Sequence, residues 1–118
     1  MGIEGIKVVE KSLEVEGVRY RGLLLEFPNA CFLFLGEEPL ALGTLVLAMP
    51  PSRTQIGPTS TAILGHKNVL MARMLAEHLA KLTGKISFLS LRIPGPEPEV
   101  GTKAMALLKE VLEERGGR

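Results

Sequence analysis

Apolar residues occur in short blocks through the first half of the chain, and turn-forming residues separate one block from the next. Glu16-Gly17 and Pro28-Asn29 are two of these separators. Short apolar and β-branched runs between such turn signals are typical of β-strands. The pattern therefore predicts five strands in succession, namely Ile3–Val15, Val18–Phe27, Ala30–Leu35, Leu40–Met49 and Pro58–Leu64.

The spacing of apolar residues becomes helical after Asn68, a residue type that can cap the N-terminus of a helix. Gly84 stands where a left-handed C-terminal cap is expected. The apolar side of this helix includes a histidine, which we expect to be partly buried. That side is predicted to consist of Met71, Leu75, His78 and Leu82, widened by Leu70, Met74 and Leu79.

A sixth strand is predicted at Lys85–Leu91 and a second amphipathic helix at Thr102–Arg115, with a stiff loop at Pro94–Pro98 between them. The expected fold class is α+β: a six-stranded antiparallel sheet with two amphipathic helices on one face, in the order β-β-β-β-β-α-β-α. The hairpin-like connections between the first five strands favour an antiparallel meander. At 118 residues, the chain is expected to form a single domain, 1–118.

Both faces of the third and fourth strands are apolar, because Phe32 and Phe34 alternate with other apolar residues, as Leu42 and Val46 do. Two helices can cover only one face of the sheet, so the other face needs a second layer. The chain can supply that layer by folding its own sheet into a closed monomeric sandwich, or it can borrow the layer from a partner subunit. We favour the dimer, with Phe32, Phe34, Leu42 and Val46 at its interface.

The composition argues against several classes of function. The formal net charge is +1, the basic residues are scattered and aromatic residues make up 4%, which gives nucleic-acid binding little support. All thirteen acidic residues are Glu, so a Ser-His-Asp triad is excluded and a Mg²⁺ or Ca²⁺ site is disfavoured. The single cysteine, Cys31, cannot form an intramolecular disulfide, and no His/Glu pair has ligand spacing. We therefore predict no catalytic residue, no metal site and no cofactor.

No apolar run approaches the length of a membrane span, and the N-terminus lacks a basic start followed by an apolar segment. We therefore expect no membrane contact and a cytoplasmic location. Eight prolines and few labile amides are weakly typical of a thermophile.

A polar loop follows the fourth strand and begins with Pro50-Pro51, which restricts its conformational freedom. Arginine is enriched at interaction hot spots, and loops held by rigid elements often carry recognition. We predict that a partner-binding surface is formed by Ser52, Arg53, Thr54 and Gln55. The alternative for Arg53 is a solvated surface charge.

Several of these segments resemble one known family. The matching segments are Ala48-Met49, Ser52-Arg53, Pro58, Ser60-Thr61 and Leu64-Gly65, preceded by Cys31–Pro39. Together they resemble the proteasome assembly chaperone four family. The run Gly43–Val46 is similar to chaperone three, and the whole is closest to an archaeal-type chaperone-four-like protein. The resemblance covers roughly Cys31 to Glu114. It implies a small α+β domain that pairs with itself or with a paralogous chaperone subunit. It also implies that the chain escorts proteasome α-type subunits into their ring without catalysis.

Three hypotheses follow from these patterns. The first is a non-enzymatic, dimeric assembly chaperone of the proteasome α-ring. The second is a dimeric protein-protein adaptor of the same fold with no proteasome role, since fold does not fix function. The third is a small enzyme, which the missing nucleophile and metal sets disfavour.

Overall fold

The computed structural model describes residues 5–52 and 59–116. Five strands come first in the chain, followed by a helix, a sixth strand and a second helix. The elements are β1 (Lys7–Val15), β2 (Val18–Glu26), β3 (Ala30–Glu37), β4 (Thr44–Met49), β5 (Thr59–Leu64), α1 (Val69–Thr83), β6 (Ile86–Arg92) and α2 (Glu97–Gly116). The predicted order of elements and the α+β class are confirmed.

The sheet is mixed, so the prediction of a purely antiparallel meander was wrong. The strand order is β1-β2-β3-β6-β4-β5, and β6 pairs parallel with β3 and antiparallel with β4. The cause is α1, because a helical crossover from β5 returns the chain to the same end of the sheet and the next strand runs parallel to β5. β6 therefore enters the centre of the sheet and separates β3 from β4.

The link from β3 to β4 has to cross the end of β6, and Gly43 makes this possible. A Cβ atom at position 43 would lie 2.6 Å from the Arg92 Cβ atom and closer still to the Leu91 carbonyl oxygen, which leaves no room for any side chain. The Gly43 N–H donates a hydrogen bond to Ser90 Oγ at 2.9 Å. This bond joins the crossing link to the central strand.

Both helices lie on one face of the sheet. α1 contacts β4, β5 and β6, whereas α2 contacts β1, β2 and β3. On that face, the Lys103 ammonium of α2 lies 4.9 Å from the centre of the Tyr20 ring of β2. The core between the sheet and the helices is aliphatic, and its largest fully buried side chains include Leu24, Leu33, Leu35, Leu75, Leu79, Leu89, Leu107 and Leu108.

The buried face of α1 overlaps the predicted one only at Leu75 and Leu79, and is otherwise rotated towards the alanines. Its buried residues are Ala72, Leu75, Ala76, Leu79 and Ala80, so small side chains let the helix approach the sheet closely. His78 is exposed, and the expectation that it is partly buried was wrong.

The ends of α1 follow the sequence pattern only in part. Gly84 caps the C-terminus in the left-handed conformation, and its N–H donates to the Ala80 carbonyl, as predicted. Asn68 occupies the N-cap position, but it has φ 55° and its side chain makes no capping hydrogen bond. α2 begins at Glu97, earlier than predicted. Pro98 is tolerated in the first turn because the N–H groups there have no intrahelical partner.

A buried carboxylate at the end of β2 joins the start of β6 to the end of α2. The Glu26 carboxylate accepts hydrogen bonds from Arg115 Nε and Nη2 at 2.7 and 2.8 Å and from Lys85 Nζ at 2.7 Å. Lys85 Nζ also donates to the Phe27 carbonyl at 2.8 Å. The hydrogen bonds from Arg115, with those from Lys85, lower the pKa of Glu26 from 4.5 to about 2, against the opposing effect of burial.

This ion-pair cluster predicts a loss of stability in acid. Because the folded-state pKa of Glu26 lies below its ordinary value, the stabilisation is fully present above pH 4.5 and is lost as the pH falls towards 2. The free energy of unfolding should decrease by roughly 3 kcal/mol from this group. Urea unfolding curves measured between pH 7 and pH 2 test this.

The matched control is Glu26→Gln, which keeps the shape of the side chain but has no charge to titrate. Its free energy of unfolding should be lower at pH 7 and should depend less on pH than that of the wild type. Parallel curves for the two proteins between pH 5 and pH 2 would contradict the assignment.

Candidate partner-binding surfaces

The face of the sheet opposite the helices, which we call the open face, carries a continuous apolar block. Side chains alternate along each strand, so the residues between the buried ones point to this side. Half-buried or exposed apolar side chains form the block, which comprises Val8, Leu23, Leu25, Phe32, Phe34, Leu45, Leu47 and Phe88.

Strand register brings these residues together from distant parts of the chain. Val8 pairs with Leu25, Leu25 with Phe32, Phe32 with Phe88, and Phe88 with Leu47. One apolar row therefore crosses five strands. The Phe32 and Phe88 rings stack with their centres 4.7 Å apart and 3° between their planes. Phe27 meets Phe32 edge-on at 5.7 Å, so the three rings form a rigid patch.

Charged residues border the open face at one end. Arg21 Nη1 lies 2.8 Å from Glu10 Oε2, and Arg21 Nη2 lies 2.6 Å from Glu38 Oε2. Arg21 and Glu10 are on the same side as the apolar block, since each alternates with residues that face the helices. An apolar centre with a polar border is the usual anatomy of a protein-protein interface.

The four predicted interface residues lie in three different parts of the structure. Phe32 and Phe34 lie on the open face, in its centre. Val46 is 0% exposed and belongs to the core under the helices, so its prediction as an interface residue was wrong. Leu42 is 55% exposed, but it lies in the link before β4 and not in a strand of the sheet.

The reason for the error at Val46 lies in β4, where both alternating sets are apolar. Leu45 and Leu47, rather than Val46, share the open face with Phe88, because Leu47 pairs with Phe88 across β4 and β6. Alternation within β4 separates the two sets but does not say which of them faces the helices. The available signal for the other open-face residues was the period-two alternation within each strand. The sequence prediction missed six of them, namely Val8, Leu23, Leu25, Leu45, Leu47 and Phe88.

The predicted loop surface is only partly described. Ser52 is exposed. Arg53, Thr54 and Gln55 lie outside the described residues, so their role as partner-binding residues stays a prediction.

The helices form a second apolar surface. A groove of about 540 Å³ lies between α1 and α2, and its lining includes His78, Met105 and Leu112. A cleft of about 490 Å³ lies where β6 ends and α1 begins, and its lining includes Glu37, Lys67 and Arg92.

The described part of the chain contains no set of three or more His, Cys, Asp or Glu residues that could hold a metal ion. Cys31 is fully buried, and burial raises the pKa of its thiol, which keeps it protonated. Within residues 5–52 and 59–116, no helix is long and apolar enough to cross a membrane.

Comparison with known proteins bears on these surfaces. The model of the family described as proteasome assembly chaperone 4 matches residues 21–93, which is more than half of the chain. The chain belongs to the proteasome assembly chaperone 4 family. The matched segment runs from within β2 to just beyond β6 and holds every open-face residue except Val8.

Solved structures give the same fold. A chain from the crystal structure of a chaperone complex for yeast 20S proteasome assembly superimposes with a TM-score of 0.68 and 15% sequence identity. The match covers 94% of this chain and 95% of the yeast structure's chain, so the two share the fold over nearly their whole length. A search of curated proteins finds no match.

Proposed function

We propose that this member of the family is a non-enzymatic assembly chaperone that binds proteasome α-type subunits and promotes assembly of their ring. The observation that supports this most directly is the family match over residues 21–93, the segment that builds most of the open face. The structural match to a chaperone of yeast 20S proteasome assembly agrees with it. The proposed mechanism is mass action. Reversible binding of the chaperone stabilises a correctly oriented assembly intermediate, and the chaperone is released as the ring grows.

We further propose that the protein acts as a dimer formed through the open face, either with a second copy or with a paralogous chaperone subunit. The five strands that carry the apolar block, spaced about 4.8 Å apart and about 20 Å long, present roughly 500 Å². Standard stable interfaces bury about 800 Å² per partner, so these strands supply more than half of the area that a dimer needs. Phe32, Phe34 and Phe88 supply the aromatic centre that such interfaces favour.

A pull-down with the α-type and β-type proteasome subunits of the same organism tests the function. Selective recovery of an α-type subunit is the expected result. Recovery of an unrelated protein with no proteasome subunit would favour the adaptor hypothesis. Failure of every proteasome subunit to bind the purified, folded chain would overturn the proposal.

Phe34→Glu tests the dimer. In the dimer the carboxylate would be buried without a partner, so the variant should be a monomer. In the monomer Phe34 is only half-buried, so a glutamate there can reach solvent and the fold should persist. Sedimentation velocity at micromolar concentration measures the state of association, and a melting curve checks the fold.

Leu82→Glu is the matched control, because Leu82 is an apolar residue of α1 that is 53% exposed and lies on the side of the sheet away from the open face. It should sediment like the wild type. A wild-type chain that is monomeric both alone and with a paralogous subunit would show that the open face does not form the dimer.

Arg53→Ala tests the loop. Arginine offers a planar fork that suits a carboxylate on the partner, so binding of the α-type subunit should weaken by about 1–2 kcal/mol. Stability should change by about 0.5 kcal/mol or less, as for most surface substitutions. Calorimetric titration and melting curves measure the two effects.

Lys109→Ala is the control for this variant, since Lys109 is an exposed cation on α2. It should leave the affinity unchanged. Equal affinities for Arg53→Ala and the wild type would identify Arg53 as a solvated surface charge. A large fall in melting temperature would identify it as structural.

A further inference from the structure

The two edges of the sheet differ in charge. β1 has four charged residues in its nine-residue sequence KVVEKSLEV, whereas β5 has none in TSTAIL. Charged residues and prolines on edge strands prevent other strands from adding to them. β1 therefore has this protection and β5 lacks it.

The outer side of β5 is open within the part of the chain that the structure describes. β5 is the last strand in the sheet order and pairs with β4 on its inner side. Every second backbone N–H and C=O group of an edge strand points away from the sheet. The side chains of Ile63 and Leu64 are 48% and 47% exposed, so an apolar end accompanies these backbone groups.

α1 holds β5 in place without covering its edge. The Ser60 hydroxyl donates to the Glu77 carboxylate and accepts from Arg73 Nε at 3.0 Å, and both partners belong to α1. The register with β4 is regular from Thr59 to Ala62 and shifts beyond it, opposite Leu45 and Val46. A preformed strand of four regular positions is therefore available to a ligand, and little entropy is lost in ordering it.

We propose that β5 binds an extended segment of the partner protein by strand addition. Backbone hydrogen bonds supply the affinity in this mode of recognition, and alternate side chains supply the selectivity. The segment should carry apolar or β-branched residues against Ile63 and Leu64. Arg73 and Glu77 both lie beside β5 and offset each other's charge, so the segment should be neutral, or acidic where it passes Lys67 beyond the end of β5.

The size of the edge favours a transient partner over a second copy of this chain. A six-residue strand is about 20 Å long, and a strip about 10 Å wide along it buries on the order of 200 Å² per partner. This is far below the roughly 800 Å² per partner of stable interfaces. Strand addition therefore suits a weak, reversible contact. In the proposed dimer, β5 binds a subunit in this way and later releases it.

The inference rests on the proposed function, since it assigns the strand-binding role to the contact with the α-type subunit. Amide hydrogen exchange tests it directly. The full chain, labelled with ¹⁵N, is compared with and without a saturating amount of the full-length α-type subunit from the same organism. Two or three amides between Thr59 and Leu64 should exchange at least tenfold more slowly in the complex. The amides of β1 in the same sample should not change.

Two proline variants test the backbone contact. Successive N–H groups of a strand point to opposite sides, so one of Thr61→Pro and Ala62→Pro removes an outward donor and the other breaks the ladder with β4. The variant that keeps the wild-type melting temperature is the outward one. It should bind the α-type subunit at least tenfold more weakly than the wild type.

Ala62→Lys provides the test if neither proline variant folds, because it keeps every N–H group and adds an edge charge. Ala62 pairs with Val46, which faces the helices, so the added charge does not enter the open face. Binding should again weaken at least tenfold. Ser12→Lys, on the exposed part of β1, should bind as the wild type does.

The outcomes separate the two proposals. If the wild type binds the α-type subunit but the β5 amides are unchanged, or the folded β5 variants bind equally well, strand addition is overturned and the proposed function stands. If the wild type does not bind the α-type subunit, the proposed function fails and this inference fails with it.

Discussion

Within residues 5–52 and 59–116, the sheet has two apolar faces but helices cover only one of them, and the rest of the structure depends on this constraint. The helices bury the aliphatic side, where Leu24, Leu33 and Leu89 are shielded from water. The opposite side keeps Phe32, Phe34 and Phe88 at its centre, only half-buried. Monomeric proteins seldom leave an apolar patch of several hundred Å² uncovered. This imbalance between the two faces is the physical basis of the proposed dimer.

The parallel pair of β3 and β6 decides the chemistry of that face. Because α1 returns the chain beneath the sheet, β6 enters beside β3 and stacks Phe88 on Phe32. An antiparallel meander would have placed β4 beside β3 and β6 at an edge. The aromatic patch would then have been divided. The crossing link at Gly43 and its bond to Ser90 are the local consequences of this topology.

The two edges of the sheet differ in charge. The edge at β1 carries charges that oppose strand pairing, whereas β5 has only neutral residues. At the end of β2, Glu26 joins Arg115 of α2 to Lys85 before β6. An uncovered face, an uncharged edge and a buried ion-pair cluster are therefore separate features of one small domain.

Local patterns in the chain were enough to predict which elements form and in what order, because hydrophobic period and turn residues are properties of neighbouring residues. Short segments around β4 and β5 also indicated the family. Phe32 and Phe34 lie on the face opposite the helices, and their role at a dimer interface stays a prediction. The helix ends at Gly84 and near Arg115 followed from local rules as well. The bounds of the fourth strand did not follow from local rules, since the predicted strand began at Leu40 but Leu40 belongs to the link that crosses β6.

Which apolar side chains face the helices, by contrast, depends on the assembled sheet. In β4 both alternating sets are apolar, so pairing with β6, and not composition, places Val46 in the core and Leu47 on the open face. In α1 three alanines join Leu75 and Leu79 on the buried side, whereas Leu70, Met74 and Leu82 are exposed, because small side chains allow the helix to approach the sheet closely. Strand order and side-chain facing depend on contacts between residues that are distant in the chain, and such contacts leave no period in the sequence.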